Sequence, residues 1–383
     1  MNIIWAEMYR DTPKKKRHGS GVDGQSINDF NDGHKTHIEN LSKQLKDGTY
    51  VPQLLKPFFI PKKNKKLRII CVPTVSDRLV QRCVLSFLNS KNTLGNEISY
   101  GFISGYSKAV ESATHKAKSL RDQNNWAYRA DISAFFDRIN RKIVKDTIKK
   151  IVRHRSLHKL IGQFVDVEIL CTDQELKKIK QQGIVEGEGL RQGMPISPYL
   201  ANLYLYSFDK TIIRNKIPMV RYADDLIAFG SNRVECMKIH ELCKNELKGI
   251  FLDIHDIEDS LDSKTVIAAP ERAIDFLGLS ICPGESGYEV NISKEQLGRI
   301  KNTLFELSDL RYCEKNNITL SNILTILDSK ISGYTDAYSA TCNHQSLKDI
   351  LNDSKERVLR QIFIKLGLDL DHLSSSAKRF LGL

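Results

Sequence analysis

The sequence predicts an α+β fold, with antiparallel hairpins in the middle of the chain and helices in its last quarter. Alternating apolar residues predict strand hairpins at 57–73 and 219–230, and helical spacing dominates between them. After Pro283 the strand signals thin out, and residues 293–383 have mostly helical patterns. Two adjacent acids occupy the tip of the second hairpin, so we expect the fold to be built around a charged site.

Size and charge favour a large protein with a polyanionic partner. The 383 residues exceed the usual size of one hydrophobic core, so two or three structural units are expected. The 58 Lys and Arg residues outnumber the 46 Asp and Glu residues, and the net charge of +12 favours nucleic acid as partner. The basic residues cluster at 14–17, 62–68 and 142–155. Each cluster, taken alone, is equally compatible with a solvated surface.

Neither the cysteines nor the hydropathy pattern indicates a secreted or membrane protein. The eight cysteines are scattered without a close metal-ligand pair, and several lie in apolar runs. No apolar stretch approaches the ~18 residues of a membrane span, and the N-terminal segment carries acidic and basic residues. We therefore expect a cytoplasmic protein without a membrane partner.

The first third of the chain contains one clear hairpin. Residues 1–50 are polar and compatible with helices, whereas 57–73 predicts two short strands joined by the basic turn Lys62–Lys66. A helix should follow directly, with Ser76 as its N-cap residue and Asp77 in its first turn.

The middle of the chain alternates strands and helices. A strand is predicted at 126–133, and a basic amphipathic helical region at 141–165. The remaining predicted elements are a Gly-rich turn at 187–193, a helix from Pro198, the hairpin at 219–230, a helix at about 234–250, and strands at 264–268 and 274–281. We place a boundary near residue 286.

The most informative motif is Tyr222-Ala223-Asp224-Asp225, between two apolar strands. Two adjacent acids in a tight turn repel each other, and a divalent cation would offset this cost. An ordinary Asp-rich turn is the alternative when the motif is considered alone. Asp131, however, ends a second apolar strand, and nucleotidyl transfer uses two Mg²⁺ ions held by carboxylates from different strands. Asp137 precedes a helix and is interpreted as a cap or ion-pair partner.

These motifs belong to a longer series, and the chain resembles the reverse transcriptases, especially those of bacterial group II introns and their free-standing relatives. The resemblance extends over roughly residues 55–285. Its seven ordered blocks are KKLRIICVPTVSDRLVQRCV (65–84), YGFISGYS (100–107), ADISAFFDRI (130–139), GLRQGMPISPYLANLYL (189–205), RYADDLIAF (221–229), SKT (263–265) and FLGL (276–279). A weaker similarity to the thumb of intron-type enzymes lies at 331–339.

The resemblance implies a right-hand polymerase fold with fingers, palm and thumb. Fingers with an N-terminal extension would occupy 1–125, the palm 126–285 with an interleaved fingers segment at about 141–190, and a helical thumb 286–383. It also implies that the chain is an RNA-directed DNA polymerase that uses an RNA template and deoxynucleoside triphosphates to make a DNA product. Two Mg²⁺ ions, with Mn²⁺ as a substitute, would be its cofactors, bound by a set that comprises Asp131, Ile132, Asp224 and Asp225.

The resemblance also assigns residues to the substrates. Arg68, with Lys66 nearby, would bind the triphosphate, because arginine offers bidentate geometry to phosphate oxygens. Gln192 and Gly193 would line the incoming nucleotide, and Lys264 would lie near the leaving pyrophosphate. A primer grip would consist of Phe276, Leu277, Gly278 and Leu279. For Lys264 the alternative is a solvated lysine, and for the FLGL segment it is a core strand.

Phe136 carries the expectation that the product is DNA. Five residues after Asp131, the family places an aromatic ring beneath the deoxyribose, where it excludes a 2′ hydroxyl. RNA-copying RNA polymerases typically have a second Asp at this spacing and Gly before the paired acids. Phe136 and Ala223 therefore favour deoxynucleotides, and a core phenylalanine is the alternative for Phe136.

Within the family, several classes are disfavoured. With little beyond one helical domain, the chain is not expected to support intron mobility. The Asn-Ala-x-x-His and Val-Thr-Gly segments of retron enzymes are not found, and Ser197-Pro198 replaces the Ser-Gln of diversity-generating enzymes. The chain thus resembles defence-associated reverse transcriptases, which protect bacteria from phage, with a structured non-coding RNA as the expected template. A non-polymerising, maturase-like RNA-binding protein and a retron- or intron-type enzyme remain alternatives.

Overall fold

The computed structural model describes residues 1–61, 67–91, 94, 96–102, 109–258, 263–370 and 372–381, except for the side chain at position 380. The chain divides into two compact units. The first contains Met1–Ala109, Tyr128–Ala228 and Val234–Val266. The second contains Val110–Ala127, Phe229–Arg233 and Ile267–Leu383. The fingers, palm and thumb boundaries remain a prediction from the sequence.

Helices occupy much of the described chain. In order they are α1 (Asn2–Asp11), α2 (Ile27–Asp32), α3 (His34–Asp47), α4 (Val75–Ser90), α5 (Ala109–Gln123), α6 (Phe135–Arg138), α7 (Arg141–Ile151), α8 (Ser156–Asp166), α9 (Asp173–Gln181), α10 (Ser197–Tyr204), α11 (Tyr206–Arg214), α12 (Arg233–Lys248), α13 (Lys294–Phe305), α14 (Leu310–Lys315), α15 (Ile323–Ala337), α16 (His344–Lys365) and α17 (Ser375–Phe380). Within the described residues, none of them is long and apolar enough to cross a membrane.

The strands form three sheets. They are β1 (Lys56–Pro61), β2 (Leu67–Val72), β3 (Trp126–Asp131), β4 (Met219–Tyr222), β5 (Asp225–Gly230), β6 (Val266–Ala268), β7 (Ile274–Phe276), β8 (Leu279–Gly284) and β9 (Gly287–Ile292). β1 and β2 form an antiparallel hairpin, β4-β5-β3-β6 is the order of a four-stranded sheet, and β7-β8-β9 is an antiparallel three-stranded sheet. The α+β prediction is confirmed, as are the paired strands of the hairpins predicted at 57–73 and 219–230, whereas the basic turn Lys62–Lys66 lies outside the described residues.

Three details of the sequence prediction are wrong. Thr74, and not Ser76, caps α4, because its hydroxyl accepts the amide hydrogen of Asp77. The helix predicted from Pro198 is interrupted, at Leu205, into α10 and α11. The helical region predicted at 141–165 is observed as two helices, α7 and α8, since Val152 adopts an extended conformation after α7.

The third correction concerns the strand predicted at 274–281, which is a hairpin of β7 and β8. Leu277 and Gly278 between them have φ values of 55° and 81°. Two consecutive residues at positive φ are typical of a tight two-residue hairpin turn. The sequence pattern does not predict the turn, because a leucine occupies the first of these positions and leucine rarely adopts this conformation. The FLGL motif therefore lies at a hairpin tip.

Each unit has an apolar cluster that supports its part of the fold. In the first unit, one face of the β1–β2 hairpin packs on a cluster formed by Leu55, Ile69, Cys71, Val167, Ile179 and Met194. In the second unit, the β8–β9 hairpin shares a larger cluster with α13, α15 and α16, which includes Leu304, Leu327 and Leu351. The first cluster fixes the hairpin that carries Arg68, and the second fixes the sheet that carries the FLGL turn.

Candidate active site

The three predicted acids lie on neighbouring strands of the four-stranded sheet. Asp131 is the last residue of β3, Asp224 lies in the turn between β4 and β5, and Asp225 begins β5. β5 and β3 are adjacent in the sheet, and the backbone N–H of Ile132 donates to the carbonyl oxygen of Asp224 over 3.1 Å. The sheet thus brings together acids that are more than ninety residues apart in the sequence.

The turn that presents Asp224 is tight and strained. Tyr222 pairs directly with Asp225, which leaves only Ala223 and Asp224 as loop residues. Ala223 has a φ of 57°, in the left-handed region that a residue with a side chain rarely adopts. Strain of this kind persists only where the surrounding structure holds the backbone in place. Ala223 is buried, which is consistent with such support.

The pKa values of the paired acids are raised, and burial is the largest cause. Burial raises the pKa of Asp225 to about 7, and repulsion from Asp224 and Asp131 contributes to the increase. Burial also raises the pKa of Asp224, with repulsion from Asp131 adding to the effect. The positive charges of Lys264 and Arg68 oppose this increase at Asp224. A cation at this site would favour the charged form of both carboxyl groups.

Lys264 contacts one of the acids directly. Its Nζ lies 2.7 Å from Oδ2 of Asp131, while more than half of the lysine side chain remains exposed. The lysine therefore belongs to the acidic site. Its position near a leaving pyrophosphate remains a prediction.

The acids fit a divalent cation by donor type and charge, although they do not form a finished site. Within the described ranges, no group of three or more His, Cys, Asp or Glu side chains is arranged so that it could hold a metal ion. The ammonium group of Lys264 lies where a cation would approach Asp131. Carboxylate oxygens are nevertheless the ligands that Mg²⁺ prefers. The apolar side chain of Ile132 is buried, so only its backbone carbonyl could contribute.

Arg129 is a charged neighbour that the sequence pattern did not identify. Its Nη2 donates to the carbonyl oxygen of Ser263 over 2.5 Å, and its charge opposes the increase in the pKa of Asp225. Alternation along β3 places Arg129 and Asp131 on the same face, since they are two residues apart. This spacing could have identified Arg129 once the strand was recognised.

The Gly-rich turn lies against the β1–β2 hairpin. The backbone N–H of Cys71 donates to the carbonyl oxygen of Gln192 over 2.6 Å. Gly193 has a φ of 112°, and a Cβ atom there would lie 2.5 Å from the carbonyl oxygen of Cys71. Only glycine fits this approach. Arg68 is exposed on β2, near enough to the acids to influence Asp224, whereas Lys66 lies outside the described residues.

Phe136 contacts the same turn through its backbone. Its carbonyl oxygen accepts the backbone N–H of Leu190 over 2.7 Å. Its ring is partly buried and contacts the ring of Phe135 edge-on, with 5.5 Å between centroids. Gly189 has no room for a Cβ atom, which would lie 2.8 Å from the carbonyl oxygen of Phe136. The backbone of Phe136 is therefore fixed against the Gly-rich turn that also carries Gln192 and Gly193.

A buried ion-pair network supports the Gly-rich turn. Glu168 lies 2.6 Å from Arg141 and 2.7 Å from Arg191, and both arginines are almost fully buried. Arg141 Nε also donates to the carbonyl oxygen of Gly189 over 2.9 Å. Burial raises the pKa of Glu168, but the hydrogen bonds from Arg191, Gly187 and Arg141 outweigh it and leave the pKa below its usual value. The carboxylate of Glu168 thus binds two buried guanidinium groups next to the Gly-rich turn.

The FLGL segment lies in the second unit. Phe276 and Leu279 are buried at the ends of β7 and β8, and they pair across the turn formed by Leu277 and Gly278. The backbone N–H of Ser293 donates to the carbonyl oxygen of Gly278 over 3.1 Å. The segment is therefore a fixed hairpin tip, and its contact with a primer remains a prediction.

Comparisons with known proteins agree with the sequence motifs. The family described as "Reverse transcriptase (RNA-dependent DNA polymerase)" matches residues 60–281. The group II intron-encoded protein LtrA of Lactococcus lactis subsp. cremoris is 28% identical over 64% of this chain and 38% of its own length. The Retron Ec83 reverse transcriptase of Escherichia coli is 26% identical over 51% of this chain and 59% of its own length.

The chain also spans about half the length of protein YkfC of Escherichia coli (strain K12), with 26% identity. Each of these matches therefore covers less than two thirds of the relative. Among solved structures, apo telomerase from Candida tropicalis superposes with a TM-score of 0.49 at 14% identity. That superposition covers 86% of this chain and 68% of the telomerase chain.

Proposed function

Because the chain belongs to the reverse transcriptase family, we propose that it is an RNA-directed DNA polymerase of the bacterial group II-like type. The observation that carries this proposal is the position of Asp131, Asp224 and Asp225. All three lie within the matched residues and on adjacent strands of one sheet. The right-hand fold of the family accounts for the α+β architecture. In the proposal, residues 1–125 form the fingers, 126–285 the palm with 141–190 interleaved, and 286–383 the thumb.

The acids would hold the cations that the reaction needs. Two Mg²⁺ ions, or Mn²⁺ in their place, lower the cost of charge at the attacking 3′ hydroxyl and at the leaving group. Asp131 and Asp224 would be the principal ligands, with Asp225 and the carbonyl of Ile132 in support. Lys264, whose ammonium group contacts Asp131, would lie near the leaving phosphates.

The hairpin and the Gly-rich turn would bind the nucleotide. Arg68 would contact the triphosphate from the exposed face of β2, with Lys66 beside it in the sequence. Gln192 and Gly193 would line the sugar and base, and Phe136 would exclude the 2′ hydroxyl. The close packing of Gly193 against Cys71 supports this arrangement, because it fixes the turn relative to the hairpin. Phe276, Leu277, Gly278 and Leu279 would contact the primer end.

The experiment that tests the activity replaces both paired acids. In the double variant Asp224→Asn with Asp225→Asn, DNA synthesis on a primed RNA template should be lost, while RNA binding remains. Neutral amides keep the shape of the side chains, so the melting temperature in the absence of metal should not fall. Persistent synthesis by the purified variant would contradict the proposed function.

We propose further that the template is a dedicated, structured non-coding RNA and that the enzyme acts in cytoplasmic defence against phage. The sequence resemblance to defence-associated enzymes supports this role. Sequencing the RNA and DNA that co-purify with the wild-type protein and with the Asp224→Asn variant tests it. One dominant RNA, with matching cDNA only in the wild type, is expected. Equal phage plaque counts with and without an active enzyme would contradict the defence role.

A second candidate is a maturase-like protein that binds RNA without polymerising. The basic surface of α7 favours it, since Lys142, Lys149 and Lys150 are exposed. RNA folding assistance that is unchanged in the Asp224→Asn variant would support this alternative. A retron- or intron-type enzyme is distinguished by the sequences of the RNA and DNA that co-purify with the protein.

A further inference from the structure

Arg221 is a fully buried arginine whose hydrogen-bonding capacity is completely used. Its Nε and Nη2 donate to the two carboxylate oxygens of Asp209, over 2.7 and 2.5 Å. Nη2 also donates to Ser99 Oγ over 2.9 Å. Nη1 donates to Asn202 Oδ1 over 3.0 Å and to the carbonyl oxygen of Ala223 over 3.1 Å. All five N–H groups of the guanidinium thus have acceptors.

One of these bonds acts on the turn that carries the acids. Ala223 is the residue at positive φ, and its carbonyl group forms the peptide bond with Asp224. A hydrogen bond from Arg221 to that carbonyl fixes the orientation of this peptide plane. The orientation of the plane in turn determines where the Asp224 side chain leaves the backbone. The guanidinium therefore supports the strained point of the turn.

The segment 99–101 contacts the same turn and is hydrogen-bonded to the same arginine through Ser99. A Cβ atom on Gly101 would lie 2.5 Å from the backbone nitrogen of Ala223, so the two backbones are in direct contact. Asn202 Nδ2 donates to the carbonyl oxygen of Gly101 over 2.8 Å, while its Oδ1 accepts from Arg221. The bond to Ser99 holds the segment from its other side. Arg221 thus supports both the turn at Ala223 and the neighbouring segment that contains Ser99 and Gly101.

Burying such an ion pair is a weak source of stability, because desolvation of the two charges offsets their attraction. A fully satisfied network does, however, specify one geometry. We propose that Arg221 is a positioning residue for the candidate metal site. Arg221 holds the Ala223 carbonyl so that the Asp224 and Asp225 carboxylates keep the spacing that cations require. This inference rests on the proposed polymerase function.

The test separates positioning from stability. Arg221→Lys keeps a positive charge beside Asp209 but loses the planar fork that reaches four partners at once. The double variant Arg221→Met with Asp209→Leu replaces the ion pair by apolar side chains, a change that often preserves stability. Melting temperature, Mn²⁺ binding measured by electron paramagnetic resonance of the free ion, and kcat with KM for deoxynucleotide are measured for each variant.

In folded Arg221→Lys we expect Mn²⁺ binding to weaken and kcat to fall by about 100-fold, the typical effect of a misplacement of roughly 1 Å. The KM should change much less, since the acceptors of the Arg221 guanidinium lie outside the predicted nucleotide-binding set. The double variant should regain melting temperature without regaining Mn²⁺ affinity. Wild-type Mn²⁺ binding and kcat in either folded variant would overturn the inference.

Arg121→Met is the matched control. Arg121 is also fully buried, and it donates to the carbonyl oxygens of Ile281, Ala269 and Arg272 in the second unit. Its loss removes a buried guanidinium without touching the turn, so Mn²⁺ binding should stay at the wild-type value. The proposed function itself fails if the wild-type protein neither polymerises nor loses Mn²⁺ binding on Asp224→Asn. That outcome is distinct from failure of the Arg221 variants to differ from an active wild type.

Discussion

Replacing Asp225 by asparagine should stabilise the metal-free protein, and the gain should grow with pH. The folded chain raises the pKa of Asp225 from 3.8 to about 7, so the folded state keeps a proton that the unfolded state has lost. The folded form therefore binds more protons between these values, and raising the pH destabilises it. The favourable contribution is complete below pH 3.8 and is lost as the pH rises through about 7. Asparagine does not titrate and escapes this loss.

The magnitude follows from the size of the shift. A difference of about 3 pKa units corresponds to about 4 kcal/mol at most, because one unit equals about 1.4 kcal/mol. Above pH 7 the wild type carries this full cost in the absence of metal. In a chain of this size, each kcal/mol corresponds to roughly 2 °C or less in melting temperature. The variant should therefore melt several degrees above the wild type at pH 8, and the difference should shrink toward pH 5.

The assay is a series of thermal unfolding curves in EDTA between pH 5 and pH 8.5. Repeating it with Mg²⁺ should narrow or reverse the difference, since ligand binding stabilises the wild-type site more than the variant. Asp256→Asn is the control. Asp256 is exposed, and its bond to Lys244 lowers its pKa, so it is charged throughout this range. A stability difference at Asp225 that does not change with pH, or a variant that is less stable at pH 8, would refute the reasoning.

Three further predictions concern the substrates. Phe136→Ala should admit ribonucleotides and reduce the deoxy/ribo ratio of kcat/KM; a loss of roughly 3–5 kcal/mol in stability with an unchanged ratio would instead indicate a core residue. Gly193→Ala should raise the KM for deoxynucleotide and cost about 1–3 kcal/mol in urea unfolding, because the new Cβ displaces the Cys71 backbone; an unchanged KM would contradict the role of the turn. RNA affinity should fall steeply with salt, and Lys142→Ala with Lys150→Ala should lower the slope of log K against log salt by about 1 for each phosphate that is no longer neutralised; an identical slope would exclude this surface.

Local patterns predicted the hairpins well and marked the acids as candidate ligands. The alternation on both sides of Asp224 and Asp225 depends on residues close in sequence, and so does the strand that ends at Asp131. The sequence pattern missed the turn at Leu277, because leucine at positive φ is unusual, and it favoured Ser76 over Thr74 because both residues can cap a helix. The exact residue at which a turn or a helix begins depends on backbone geometry, and several neighbouring residues are compatible with that geometry.

The supporting polar network could not be predicted from one sequence. Ser99 and Arg221 are 122 residues apart, and nothing in their local spacing indicates a contact. In the sequence, Arg221 stands out only as part of the RYADDLIAF block, where a charged residue before a strand end is usually exposed. Its burial follows from the packing of α10, α11 and the segment 96–102 around it, which is a tertiary property.

The network of Arg141, Glu168 and Arg191 also constrains how the sequence can diverge. A chain that loses Glu168 alone would leave two buried arginines of like charge without their shared acceptor, which is strongly unfavourable. Substitutions at the three positions should therefore occur together among homologues, or not at all. An alignment of homologues deep enough to detect covariation should couple position 168 to both 141 and 191, although the three residues lie on separate segments. The three positions would then change together during evolution, because all three side chains support the Gly-rich turn.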